Sequence, residues 1–185
     1  MANTMVDPRA RERLHLFEAL AERHRGAIYG LAYRLTGNRD DAEDLVQDTL
    51  IEAFRAFARF TAGTRFDRWV CQIMTRNFID SRRRSRVRRC VPLDDVSNGM
   101  GLSDRAADPQ AIVESRAREA RLQEALNQIP PEFRAAVMLC DGQGFSYEEA
   151  SRALRCPVGT VRSRLHRARE QLRQLLRELA RKDGE

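Results

Sequence analysis

A chain of 185 residues with 42% hydrophobic, 32% charged and only 6% aromatic side chains has room for one large core or two small ones. Its formal net charge of +6 and pI near 9.7 point to a polyanionic partner, either nucleic acid or an acidic membrane surface. No apolar run approaches the roughly 18 residues of a membrane span, and Asp7 and Pro8 stand where a signal peptide would carry its apolar core, so membrane insertion is excluded and a cytoplasmic protein is expected.

The spacing predicts helices throughout and no alternating apolar run suited to a sheet, so the fold class is all-α. Asp7-Pro8 is a cap followed by proline at the first helical position; Leu14, Phe17, Leu20, Ala21, Ile28, Leu31, Ala32 and Leu35 then continue one apolar stripe up to Gly37. His24 falls on that stripe as a core or boundary histidine, with no second ligand at i+4. A second helix is predicted from Asp40 to Phe60, buried through Ala42, Leu45, Val46, Thr49, Leu50, Ala53, Phe54 and Phe57. Asp40, Asp41, Glu43, Asp44 and Asp48 crowd its N-terminal half. The helix dipole favours negative charge there, but such a reversal of sign in a basic protein also suits a protein partner with a basic surface, while it would repel DNA.

Gly63 interrupts the pattern, and Thr64 with Asp67 forms a candidate capping box for a third helix. Trp69, Val70, Ile73 and Met74 give this helix an apolar side; Arg68, Arg76, Asn77 and a run holding six arginines between Ser81 and Arg89 give it a basic one. That density is an electrostatic footprint for nucleic acid. Phe60, Phe66 and Trp69 fit either a core or stacking platforms for unpaired bases.

Periodicity disappears from Cys90 to Asp108, where Pro92, Ser97, Asn98, Gly99, Gly101 and several aspartates read as a flexible linker reaching about 60 Å when extended. The linker, taken as residues 90–109, separates an N-terminal domain, 1–89, from a C-terminal one, 110–185. Asp108-Pro109 repeats the cap-plus-proline device and opens a helix to Gln128; Pro130-Pro131 stops it, and a further helix is predicted from Glu132 to Cys140. After Gly142 and Gly144, Ser146-Tyr-Glu-Glu149 is a capping box for a short helix through Leu154. Arg155, Cys156 and Pro157 break the chain tightly. The last helix, with Pro157 in its first turn, places Val161, Leu165, Ala168, Leu172, Leu175 and Leu179 on one stripe and Arg162, Ser163, His166, Arg167, Arg169 and Arg173 on the other face. This is a helix-turn-helix pattern. The four cysteines, Cys71, Cys90, Cys140 and Cys156, form no C-x-x-C pair and have no histidines at zinc spacing, so they read as reduced packing thiols, with no metal and no cofactor expected.

The acidic DAEDLVQDTLIEAFRAF helix, the basic Trp-containing helix, the linker, then IPPEFRAAVML and FSYEEASRALRCPVGTVRSRLHRARE together resemble an extracytoplasmic-function sigma factor of bacterial RNA polymerase over nearly the whole chain. The resemblance implies that the N-terminal domain grips core polymerase and melts the −10 promoter element, and that the C-terminal domain reads the −35 element. Asp41, Asp44, Gln47 and Asp48 match the surface that meets the clamp of the largest subunit; the flap of the second-largest subunit is a further implied contact. Thr61, Ala62, Gly63, Thr64 and Arg65 match the loop that captures a flipped base, with Trp69, Arg76, Asn77, Arg82, Arg83 and Arg84 along the opened strand. Thr160, Arg162, Ser163, His166 and Arg167 match the positions that enter the major groove. An anti-sigma partner is implied as well, though no residue identifies it. The sequence departs from the family pattern at Ala150-Ser151, where Ile-Ala is common, and at Arg155, where a turn glycine is frequent.

Independently of the resemblance, arginine can pair bidentately with guanine, and trapping an unstacked base offsets the few kcal/mol that flipping costs, with no covalent step required. A promoter-specificity subunit without catalytic residues is therefore expected. A helix-turn-helix regulator that does not recruit polymerase would leave the acidic helix and the basic Trp helix without a task. A two-metal nuclease built on Asp40, Asp41 and Asp44 would draw its carboxylates from one helical turn, with no matching set elsewhere.

Overall fold

The computed structural model describes residues 8–61, 63–88 and 109–182. Among them every regular element is helical. Asp7, Ala62, Arg89, Cys90 and the linker as far as Asp108 lie outside the described residues.

The first predicted helix is two: α1, Pro8–Arg23, and α2, Arg25–Thr36, meet at His24, whose φ of −105° and ψ of 7° bend the chain. The bend serves packing. Phe17 turns into an aromatic cluster, with ring centroids 5.3 Å from Phe54, 5.2 Å from Phe57 and 5.8 Å from Phe66, while Ile28, Leu31, Ala32 and Leu35 of α2 are buried. Edge-to-face pairs of this kind add about 0.5–1.5 kcal/mol each beyond the area they bury. Gly37 closes α2 in the left-handed region at φ 88°, donating its N–H to Tyr33 O.

Helix α3, Arg39–Ala56, starts on Asn38, whose Oδ1 accepts from Asp41 N–H at 2.8 Å, and runs into a 3₁₀ turn over Phe57–Arg59. Helix α4, Phe66–Arg88, buries Phe66, Val70, Ile73, Met74 and Phe78. Its expected Thr64–Asp67 capping box does not form: Thr64 Oγ1 donates to Thr61 O at 2.7 Å and Asp67 pairs with Arg65 at 2.6 Å. The arginine two residues away outcompetes the cap for the carboxylate.

In the C-terminal half, α5 spans Pro109–Gln128 and α6 Pro131–Val137, the latter continuing as one π-helical turn over Met138–Gly142. Helix α7, Tyr147–Leu154, has the full capping box: Ser146 Oγ accepts from Glu149 N–H and Glu149 Oε2 accepts from Ser146 N–H. Arg155 then takes φ 49°, the only non-glycine in the left-handed region among the described residues, which is the physical reason a glycine suits that turn. Helix α8, Val158–Lys182, begins one residue after Pro157, whose carbonyl accepts from Thr160 and Val161 N–H. Val161, Leu165, Ala168, Leu172 and Leu179 of its stripe are buried and Leu175 half-buried.

The two halves are docked. Helix α4 packs on α6 and α7, α2 packs on α5 and α6, and their apolar residues join into one continuous cluster.

Candidate nucleic-acid and polymerase interfaces

The exposed side of α8 gathers the C-terminal candidates. Arg162, Ser163, His166 and Arg167 are exposed along its first turns, and Thr160 is half-buried. Ser163 Oγ donates to Thr160 O at 3.0 Å, and the Arg162 guanidinium lies 5.7 Å from the centroid of the Tyr147 ring. Between α7 and α8 runs a cleft of about 430 Å³ lined by Tyr147, Arg162, His166, Arg169 and Arg173 among others. The cleft is open, rests on the buried stripe of α8, and carries Arg162 and Arg173 as exposed cations beside His166. Arg169, expected among the outward cations, is instead held by Asp141 through two bonds of 2.6 and 3.0 Å, and that carboxylate holds its guanidinium above the ordinary arginine range.

The N-terminal candidates divide into three groups. Thr61, Gly63, Thr64 and Arg65 form an exposed tight turn closed by Thr64 N–H on Thr61 O, with Gly63 at φ 87°; Ala62 lies outside the described residues. Pairing with Arg65 holds the Asp67 carboxyl below its usual range. Trp69 stands beside this turn, half-buried, 5.1 Å from the Phe60 ring and 5.8 Å from Phe66. Phe66 is core; Phe60 and Trp69 keep edges open to solvent.

Farther along α4, Arg76, Asn77, Arg83 and Arg84 share a groove of about 630 Å³ with Glu52, Asp80 and Arg155. Arg82 is separated from them. It pairs with Asp41 at 3.0 Å, donates to Thr36 O at 3.4 Å and lies 5.5 Å from the centroid of the Phe78 ring, tying α4 to the start of α3. Of the acidic candidates, Asp44, Gln47 and Asp48 are exposed and share a face of α3 by their i, i+3 and i, i+4 spacing, while Asp41 faces Arg82. Among the described residues no group of three or more His, Cys, Asp or Glu side chains could hold a metal ion. Cys71, Cys140 and Cys156 are free thiols; burial pushes Cys71 up to about 12 and Cys140 up to about 11.

Two residues hold the seam between the halves: Arg68, read from the sequence only as part of a basic helix face, and Arg134, which the sequence did not single out. Arg68 of α4 donates to Glu149 Oε1 and Oε2 at 3.1 and 3.2 Å, to Gly144 O at 2.6 Å and to Gln143 O at 3.4 Å. Arg134 of α6 is buried and donates to Leu35 O across the seam at 2.6 Å and to Asn127 O at 2.9 Å. All of its acceptors are neutral oxygens, and burial lowers its guanidinium to about 10. The signal available in sequence was Arg68 itself, a cation beside Trp69 on the apolar end of a basic helix, but its partner lies 81 residues away.

Two family models match the chain, one in each half. Sigma-70 region 2 matches residues 20–88 and sigma-70 region 4 matches residues 119–172. The chain is 44% identical over 161 residues to the ECF RNA polymerase sigma factor SigE of Mycolicibacterium smegmatis, a match covering 86% of this chain and 61% of that longer protein. It is 31% identical to the RNA polymerase sigma-H factor of Pseudomonas aeruginosa, covering 89% and 88% of the two chains. To the ECF RNA polymerase sigma factor SigW of Bacillus subtilis it is 33% identical, covering 88% and 90%. Among solved structures it resembles the sigma factor RpoE of Bartonella quintana, crystallised with the anti-sigma factor NepR, at a TM-score of 0.61 and 31% identity over 93% of this chain and 98% of that one. With both sigma-70 regions in order and two relatives above 30% identity matched over 88% and 90% of their own length, the chain belongs to the extracytoplasmic-function sigma factors of bacterial RNA polymerase.

Proposed function

We propose that this chain confers promoter specificity on core RNA polymerase in the cytoplasm, with the N-terminal domain, residues 1–89, docking on the enzyme and holding the opened −10 element and the C-terminal domain, residues 110–185, reading the −35 element. The observation that carries the reading is the pairing of opposite surfaces on one small domain: an exposed acidic face on α3 and a basic groove on α4. Clustered carboxylates are repelled by the phosphate backbone, so the exposed face of Asp44, Gln47 and Asp48 suits a basic protein surface, here the clamp of the largest subunit, with Asp41 at its edge. The groove of Arg76, Asn77, Arg83 and Arg84 offers guanidiniums to the phosphates of a single strand, and the Thr61–Arg65 turn beside Trp69 is placed to take an unstacked base.

On the other domain Arg162, Ser163, His166 and Arg167, with Thr160 behind them, are the groove-entering set. The flap of the second-largest subunit is the remaining polymerase contact, and an anti-sigma factor is the regulatory partner, as accompanies the similar RpoE structure. The work is recognition and strand separation, with no covalent step, so the chain is not an enzyme. Run-off transcription with core polymerase over a promoter library tests the whole reading. Initiation from a subset sharing −35 and −10 sequences is the expected result; no stimulation of core polymerase on any promoter overturns it and favours a free-standing DNA-binding regulator.

A further inference from the structure

Arg162 and Arg169 line the same cleft between α7 and α8, yet they are held in opposite ways. Arg169 spends the donors on its edge, giving bonds of 2.6 and 3.0 Å to the two oxygens of Asp141. Among the described residues Arg162 makes no ion pair or hydrogen bond; its guanidinium carbon lies 5.7 Å from the centroid of the Tyr147 ring instead. A carboxylate takes up the edge of a guanidinium, where the N–H groups are, whereas an aromatic ring takes up its face. Stacking therefore restrains Arg162 and leaves open the forked edge that pairs with guanine O6 and N7.

The ring is itself braced. Tyr147 is the first residue of α7, beside the capping box of Ser146 and Glu149, and packs half-buried against the hydrophobic core. Its hydroxyl is a hydrogen-bond neighbour of Arg169, so Asp141, Arg169, Tyr147 and Arg162 form one run of contacts along the cleft. Asp141 enters that run from the π-helical turn after α6. Two parallel bonds between arginine and carboxylate fix a geometry that a single surface ion pair does not.

We propose that Tyr147 is a positioning residue for −35 base choice: its ring, braced by Arg169 and Asp141, presents the donor edge of Arg162 preformed to one base in the major groove. The inference rests on the proposed function in one respect, that Arg162 reads a base. Arginine is rich in rotamers, and base discrimination scales with the fraction of time its guanidinium holds the orientation that pairs. A ring stacked on an exposed guanidinium favours the held orientation roughly two- to fivefold. Arg167, exposed on the same helix, has no aromatic platform among the described residues, which confines the effect of Tyr147 to the base that Arg162 reads.

Binding of reconstituted holoenzyme to promoter duplexes tests this, with each of the four bases placed in turn at each −35 position. The wild type is expected to prefer one base by roughly 5- to 150-fold at the position that Arg162 reads, and Arg162→Ala to remove that preference. Tyr147→Leu is expected to lower it roughly two- to fivefold, to leave preferences at the other −35 positions in place, and to change nothing further in the Arg162→Ala background. Tyr147→Phe and Asp141→Asn, which keep the ring and loosen its brace, are expected to lose less. A residue that only supported the fold would weaken binding to every duplex alike. Circular dichroism establishes that each variant is folded; if Tyr147→Leu loses helix content, Tyr147→Met takes its place under the same criteria. A folded variant without the ring that keeps the wild-type preference or weakens all duplexes alike, or a Tyr147→Phe variant that falls as far as Tyr147→Leu, overturns the role of Tyr147. Preferences that survive Arg162→Ala at every −35 position overturn the base-reading assignment beneath it, and the role of Tyr147 with it.

Discussion

Arg162 stands near the start of α8 beside the ring of Tyr147, exposed to solvent, whereas Arg82 and Arg169 are each held by a carboxylate, Asp41 and Asp141 respectively. The partner of each guanidinium decides its task. Arg162→Ala is expected to cost about 1–3 kcal/mol at promoters with the cognate −35 base and little elsewhere, read as relative run-off yield over a promoter panel. Equal loss at every sequence would reassign Arg162 to the phosphate backbone. In the arginine run, Arg83→Ala with Arg84→Ala is expected to reduce the slope of log affinity against log salt for single-stranded −10 DNA by about 1.4, at roughly 0.7 per phosphate contact. Arg82→Ala is expected to leave that slope alone and lower the melting temperature. Sequence could show the density of arginine but not this sorting, because the carboxylates of Asp41 and Asp141 come from other elements, 41 and 28 residues away.

Element boundaries followed local chemistry where the chemistry was local. The Ser146–Glu149 box, the stop at Pro130-Pro131 and the buried stripe of α8 were legible because each depends on neighbours within one or two turns. Thr64–Asp67 misled for the reason given above: Arg65 claimed the carboxylate. The bend at His24 was hidden because the apolar stripe continues through it, with Phe17 before the bend and Ile28, Leu31 and Leu35 after it all buried. Ser146→Ala removes a cap worth about 1 kcal/mol and is expected to lower thermal stability accordingly, measured by denaturation. Glu149 lies below the usual carboxylate range, chiefly through the Ser146 N–H and then through Arg68. A lowered carboxylate contributes stability above its unfolded value of 4.5 and loses it as pH falls through the folded one, so both the cap and the contact with Arg68 are intact at neutral pH and fail only in acid.

At the scale of the whole molecule, two surfaces of opposite sign and a separate DNA reader follow from composition and order, which is why the family was legible early. The docking of the halves was not, since it turns on Arg68 and Arg134 meeting backbone carbonyls that carry no sequence signature. Asp44→Arg is expected to abolish co-purification with core polymerase while leaving the fold intact; unchanged co-purification would sink the clamp assignment. Gly37 carries a different consequence. A β-carbon there would lie 2.2 Å from Asn127 Oδ1, so a residue of one domain limits what the other can present. Chimeras that exchange C-terminal domains between sigma factors to rewire promoter choice would therefore inherit a steric match at this point. A chimera keeps its fit at this point only where Gly37 is retained, since any other residue there would need both a left-handed backbone and a displaced Asn127 amide.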